Sequence, residues 1–258
     1  MQAALPSTDR VALVTGGARR IGAAIVRSLA QSGYAVAIHA NRSVVEAEAL
    51  CAEIGAAGGR AAVIAADLAD RDAVGRLVGA AVAAMGPLTL LVNNAGEFET
   101  DVFGALDRRR VERQFAVNLW APLFLAQAFA AQTRRRDDAS IINILDQRVF
   151  RATPRFFSYT LSKSALHTAT TTLAQALAPH IRVNGVAPGP TLPSPRQDAE
   201  AFARQGQLVP LARGPSPEDI AAAVLYLAQA GSVTGVTIAV DGGQHIAWQT
   251  PDAAGVDE

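Results

Sequence analysis

Lysine is almost missing from this chain: of 23 basic residues, all but Lys163 are arginine. So broad a preference for arginine reads as coding bias. The one retained ammonium marks a position that wants a compact, rotatable charge in place of a planar fork, with chance survival as the alternative. Cysteine is as scarce. Cys51 alone excludes an intramolecular disulfide and a cysteine-based zinc cluster. The histidines His39, His167, His180 and His245 show no paired metal spacing, so no metal is expected. Net charge is absent too: 23 acidic residues balance the 23 basic ones. That balance lacks the basic footprint phosphate backbones attract, which argues against a nucleic-acid partner. No apolar run approaches the ~20 residues of a membrane helix, and Met1 to Arg10 has no signal-peptide pattern. The expectation is a cytoplasmic protein acting on a small molecule. Half of its 258 residues are hydrophobic and 18% charged, ample for one large core and wrong for a disordered chain.

Short β-rich runs alternate with helical stretches. Val11–Val14, Ala35–His39, Ala61–Ala66, Leu88–Val92, Ile141–Leu145, Arg182–Val186 and Val236–Val240 read as strands, mostly apolar along their length as in a parallel sheet buried on both faces. Ile21–Ser32 reads as a helix ending at Gly33, a natural C′ glycine. Ser43-Val44-Val45-Glu46 has the capping-box pattern, and Ser216-Pro217-Glu218-Asp219 opens a late helix with proline at N1 and acids in its first turn. Arg108–Ala131 and Tyr159–Ala178 read as the two longest helices. This alternation predicts a single α/β domain over residues 1–258: a Rossmann-type, doubly wound parallel sheet of about seven strands with helices on both faces. Pro188–Arg213 is proline-rich without a clear period and reads as a lid or binding loop. Residues 244–258 form a tail. The charge runs Arg134–Asp138 and Arg108–Arg110 read as solvated segments.

Val11–Val14 runs into Thr15-Gly16-Gly17-Ala18-Arg19-Arg20-Ile21-Gly22. A strand, a glycine-bearing turn and a helix N-terminus make a pyrophosphate site, because unpaired N–H groups and the positive dipole end face the anion. The strict G-x-G-x-x-G spacing is not met, and a tight turn alone needs glycine for its φ. The second strand ends in His39-Ala40-Asn41-Arg42-Ser43, with no acid for a ribose 2′-hydroxyl. Arg42 and Ser43 can instead hold a 2′-phosphate, which favours NADP(H).

Tyr159 and Lys163 stand at i and i+4, on one helix face. An ammonium beside a phenol lowers its pKa from about 10 and suits proton transfer coupled to hydride transfer. With Thr15–Gly22, Asp67-Leu68, Asn93-Asn94-Ala95-Gly96, Asn118, Pro188-Gly189 and Asp241-Gly242-Gly243 in that order, the chain from about Arg10 to His245 resembles the short-chain dehydrogenase/reductase family. The resemblance implies that Gly16, Arg19, Arg20, Ile21 and Gly22 meet the cofactor phosphates and that Asp67 and Leu68 flank its adenine. It implies that Asn94 and Ala95 line the cofactor and that Pro188, Gly189 and Thr191 border its nicotinamide. Tyr159 is then the proton donor, Lys163 the ribose ligand that tunes it, and Asn118 the holder of a relay water. It further implies a homotetramer built through the two long helices.

Two departures narrow the resemblance. Arg20 stands where the family usually has glycine, and Asp146 where it usually has a serine that donates to a carbonyl. An ionised carboxylate only accepts hydrogen bonds; it suits a heterocycle bearing N–H donors. With Phe98 after the Asn-Asn-Ala-Gly turn, both departures resemble the pteridine reductase branch. There the phenylalanine stacks the pterin against the nicotinamide and the arginine reaches phosphate and substrate. The substrate-binding set expected is therefore Arg20, Phe98, Asp146 and Tyr159, with a carbonyl such as a 3-oxoacyl thioester or a ketone as the alternative substrate.

Overall fold

Residues 10–133, 138–194 and 197–248 are described by the computed structural model. Seven strands, β1 (Val11–Val14), β2 (Ala35–Ala40), β3 (Ala61–Ala65), β4 (Leu90–Asn93), β5 (Ala139–Ile144), β6 (Ile181–Pro188) and β7 (Thr237–Val240), form one sheet in the order β3-β2-β1-β4-β5-β6-β7. Every pairing is parallel. Strand side chains alternate between faces. Ala12 and Val14 pack with Ile25 and Leu29 of α1 (Arg20–Gln31) and Val224 of α8 (Pro217–Gln229). Val11 and Leu13 pack with Leu77 of α3 (Arg71–Met85) and Phe129 of α5 (Ala121–Gln132). Two apolar layers thus sandwich the sheet, which is why its strands read as unbroken hydrophobic runs.

Local chemistry sets most boundaries. α1 ends in a Schellman arrangement, with Tyr34 N–H donating to Leu29 O, Gly33 N–H to Ala30 O, and Gly33 at φ 86°. Asp70 caps α3 through the Asp72 and Ala73 N–H groups. Ser216 and Asp219 form a complete capping box on α8. The box expected at Ser43 is not formed. Ser43 precedes α2 (Val44–Ala56) with no side-chain cap, and Glu46 turns outward to Arg19 at 3.4 Å. β4 starts two residues later than expected because both backbone groups of Leu88 are bonded by the Gln132 side chain.

Two further expectations are corrected. The proline-rich stretch holds a helix, α7 (Ala199–Gln207), capped by Asp198. The long fourth helix is not continuous: α4 (Arg108–Phe115) joins α5 through a π-helical segment, Ala116–Trp120, that contains Asn118. Taken together Arg108–Gln132 is apolar and long enough to cross a membrane by length and composition, yet half of its most apolar window is buried inside the fold. Most of the Arg134–Asp138 run and residues 249–258 of the tail lie outside the described residues.

Candidate active site

A cleft of about 1100 Å³ lies across the C-terminal ends of β1 and β4, where the strand order reverses. The β1–α1 turn forms its phosphate end. Gly16 has φ 59°, and a Cβ on Gly22 would lie 2.1 Å from the Gly16 carbonyl oxygen, so only hydrogen fits there. Asn94 supports the turn from below, its Nδ2 donating to Thr15 O at 2.9 Å and Gly16 O at 3.0 Å. No side chain caps α1 and no acid lies in its first turn. Arg19, Arg20, Ile21 and Gly22 line the cleft there. Arg20 sits at φ 55°, the left-handed region where glycine is at ease, and its guanidinium donates to Leu192 O and Pro193 O of the loop after β6.

His39 accepts the Gly16 N–H on Nδ1 at 3.0 Å, so its Nε2 carries the proton and donates to Ala66 O at 3.1 Å. The ring is neutral and buried, and burial holds its pKa below 6.5 against the opposing pull of Ala66 O and Asp67. A histidine with a depressed folded pKa binds fewer protons folded than unfolded just below 6.5, so stability falls as pH drops through that value. Thermal melts should therefore lose more between pH 7.5 and 5.5 for the native protein than for His39→Gln. The glutamine keeps one acceptor and one donor but cannot be protonated. Equal losses refute the assignment.

Asn41, Arg42 and Ser43 close the cleft beside β2, and Asp67, Leu68 and Ala95 complete the half next to α1. The donor set fits a dinucleotide carrying an extra phosphate: uncapped helix N–H groups, a glycine cradle that a Cβ would fill, several guanidiniums and no acid after β2. Asp67 also has protein partners. Its carboxylate accepts the Ala69 N–H and both ends of Arg113, which also donates to Glu97 at 2.6 Å.

The other half is built on α6 (Phe157–Leu177). Tyr159 and Lys163 are both buried within it, and Lys163 Nζ donates to Ile144 O at 2.7 Å. Burial draws the Lys163 ammonium down to about 8, opposed by Asp146. The Tyr159 hydroxyl moves the other way from expectation. Burial, then the Asp146 carboxylate, push it well above 10, outweighing Arg148. The phenol is held as a donor, bonding Asp146 Oδ2 at 3.1 Å, the state an acid needs before it gives its proton. Phe98 stacks on Phe156 at 4.3 Å and meets Tyr159 edge-on at 4.7 Å. Pro188, Gly189 and Thr191 form the floor toward β6, and Phe202 of α7 faces the same cleft.

The short chain dehydrogenase family profile matches residues 10–204. The chain belongs to the short-chain dehydrogenase family. It is 51% identical to FolM alternative dihydrofolate reductase 1 from Brucella canis, solved in complex with NADP, with a TM-score of 0.94 over 98% of this chain and 100% of that one. An uncharacterized oxidoreductase of Mycobacterium tuberculosis is 39% identical over 91% of this chain and 92% of its own length. A 3-oxoacyl-[acyl-carrier-protein] reductase of Synechocystis is 32% identical over 92% and 97%.

Of the cofactor, substrate and catalytic candidates named from sequence in this family member, all but Asn118 line the cleft. Asn118 is fully buried in the π segment. Its amide accepts the Glu97 N–H and donates to Glu97 O and Ser162 Oγ. These contacts tie the loop after β4 to α6. Several contributors carry no sequence signal. Asp101 of that loop accepts the Ser158 N–H with both oxygens, at 3.1 and 3.2 Å, and so caps α6 from a distance while Phe156, at φ 55°, caps nothing. Arg148 clamps Asp146, and Arg113 joins Asp67 to Glu97.

Proposed function

We propose that the protein is an NADPH-dependent reductase of a pterin or dihydropterin. The observation that carries this reading is Asp146. In place of a hydroxyl able to donate to a carbonyl, the cleft presents a carboxylate hydrogen-bonded to the Tyr159 hydroxyl, beside the flat Phe98–Phe156 pair. A planar heterocycle fits that aromatic surface better than an acyl chain does. The likeness to FolM supports the same substrate class.

A bound NADPH would supply the hydride for the carbon of a C=N bond. Tyr159 gives its hydroxyl proton to the ring nitrogen, so that C=N becomes CH–NH, and regains a proton from solvent. Lys163 holds positive charge beside the phenol, its Nζ 6.0 Å from the ring centroid, and would meet the ribose of a bound cofactor. Arg42 and Ser43 hold the 2′-phosphate; the Ser43 hydroxyl caps no helix and is free for it. Arg42→Ala should therefore erase most of a large preference for NADPH over NADH in dissociation constants. Equal constants for the two cofactors in the native protein would sink the assignment.

The decisive experiment is NADPH consumption with dihydropterins, dihydrofolate, oxidised biopterin and simple ketones. Turnover of ketones alone overturns the pterin reading in favour of a carbonyl reductase, the activity named for the Synechocystis relative. We further propose assembly as a homotetramer through α4–α5 and α6, supported by the exposed apolar side chains Trp120, Phe124 and Leu161.

A further inference from the structure

Both oxygens of Asp146 are already engaged by protein donors. A carboxylate has about four lone-pair sites. Oδ1 accepts the Arg148 backbone N–H at 2.9 Å and Arg148 Nη1 at 3.1 Å. Oδ2 accepts Nη1 again at 3.0 Å and the Tyr159 hydroxyl at 3.1 Å. The pair is also shielded, with side chains only 20% and 15% exposed. In these respects it differs from exposed pairs such as Arg108–Glu112, which contribute little.

The guanidinium is itself held. Its Cζ lies 5.5 Å from the Phe98 ring centroid and 5.2 Å from that of Phe156, the two rings being stacked on each other. Arg148 is thus held by cation–π contact on one side and by the carboxylate on the other. Its Nε and Nη2 hydrogens bond no other described residue, and Arg148 lines the cleft.

We propose that Arg148 is the positioning residue of the proton-transfer pair: it fixes the Asp146 carboxylate on the Tyr159 hydroxyl and closes that carboxylate to direct coordination by the substrate. This rests on the reading above that Asp146 and Tyr159 serve the reaction. Substrate N–H groups then meet a carboxylate already engaged on both oxygens. Lysine would replace this function only in part, because its ammonium could meet the carboxylate as Nη1 does but lacks the planar guanidinium set beside the two rings. The guanidinium also opposes Asp146 in its effect on the phenol.

The test is a double-mutant cycle on Arg148→Met and Asp146→Asn, read as kcat for dihydropterin-dependent NADPH oxidation alongside NADPH dissociation constants. The methionine variant keeps the backbone N–H to Oδ1, so it removes the clamp without removing the turn. Arg148→Met should lower kcat about 10-fold and Asp146→Asn about 10²-fold, within or near the range for acid–base groups, with NADPH binding unchanged. The double variant should be no slower than Asp146→Asn alone, because Arg148 acts through Asp146. Independent roles would make the losses multiply to about 10³-fold, and that result overturns the proposal. Millimolar guanidinium chloride should restore kcat to Arg148→Ala but not to that variant carrying Asp146→Asn; equal responses also overturn it. If Arg148→Met does not fold, Arg148→Lys carries the same cycle. If the native protein reduces no dihydropterin, the substrate reading fails separately, and the cycle run on whichever carbonyl it reduces still decides the role of Arg148.

Discussion

Asp146→Ser should cut dihydropterin turnover at least ~10²-fold while leaving NADPH affinity nearly unchanged. The substitution removes the acceptor that orients the Tyr159 hydroxyl at 3.1 Å and leaves the Arg148 guanidinium, only 20% exposed, without its counter-charge. Serine can take one bond from the phenol but cannot chelate the guanidinium. Ketone reduction, where present, should stay equal or improve, because a hydroxyl donor replaces a carboxylate that repels a carbonyl oxygen. Steady-state rates on both substrate classes, with cofactor binding by fluorescence, check each arm. Loss of ketone and pterin turnover in equal proportion would show that Asp146 supports the site generally and selects nothing.

The second large effect is expected at Gly22, from sterics alone. In Gly22→Ala the new Cβ meets the Gly16 carbonyl oxygen at 2.1 Å and Asn94 Nδ2 at 2.7 Å. The oxygen belongs to the phosphate turn, which His39 and Asn94 already hold. The turn must open. Overpacking of this kind costs about 3 kcal/mol, or roughly 6–12 °C in Tm for a chain of this size. NADPH affinity should fall with it, because the opened turn no longer presents its N–H groups together. Gly79→Ala in α3 is the control. A Cβ there meets nothing within 4 Å, so that variant should melt at or slightly above the native temperature, as expected where alanine replaces an exposed helical glycine. Similar melting temperatures for the two variants would refute the steric argument.

What could be read from sequence is what short-range chemistry determines. β1 appears with the bounds expected of it, and the stop at Gly33 and the start at Ser216 each rest on residues within five positions of one another. The cleft-lining residues were legible because loops at the C-terminal ends of parallel strands converge by topology. Contacts that cross the fold were not legible. Arg113 meets Asp67 over 46 positions and Asp101 meets Ser158 over 57, and no local pattern announces either. At Ser43 the local pattern misled, because Glu46 is drawn away to Arg19. The Tyr159 shift was read backwards from the i,i+4 lysine. That ammonium bonds a backbone carbonyl, whereas the phenol is pushed up by burial first and then by the Asp146 carboxylate, which comes from another element.

The π segment between α4 and α5 has a consequence for how this helix tolerates insertion and deletion. Each bond there spans one residue more than in an α-helix, as where the Ala121 N–H reaches Ala116 O. Upstream, Arg113 must face Asp67; downstream, Leu125 and Phe129 must face the sheet. Because the segment carries that one extra residue, removing one residue from Ala116–Trp120 would give a plain helix whose two halves keep nearly their present faces. The same deletion inside α4 or α5 would rotate one half about 100° against the other, taking Arg113 from the cleft or Leu125 and Phe129 from the core. A one-residue deletion should therefore be better tolerated in this segment than in either flanking helix.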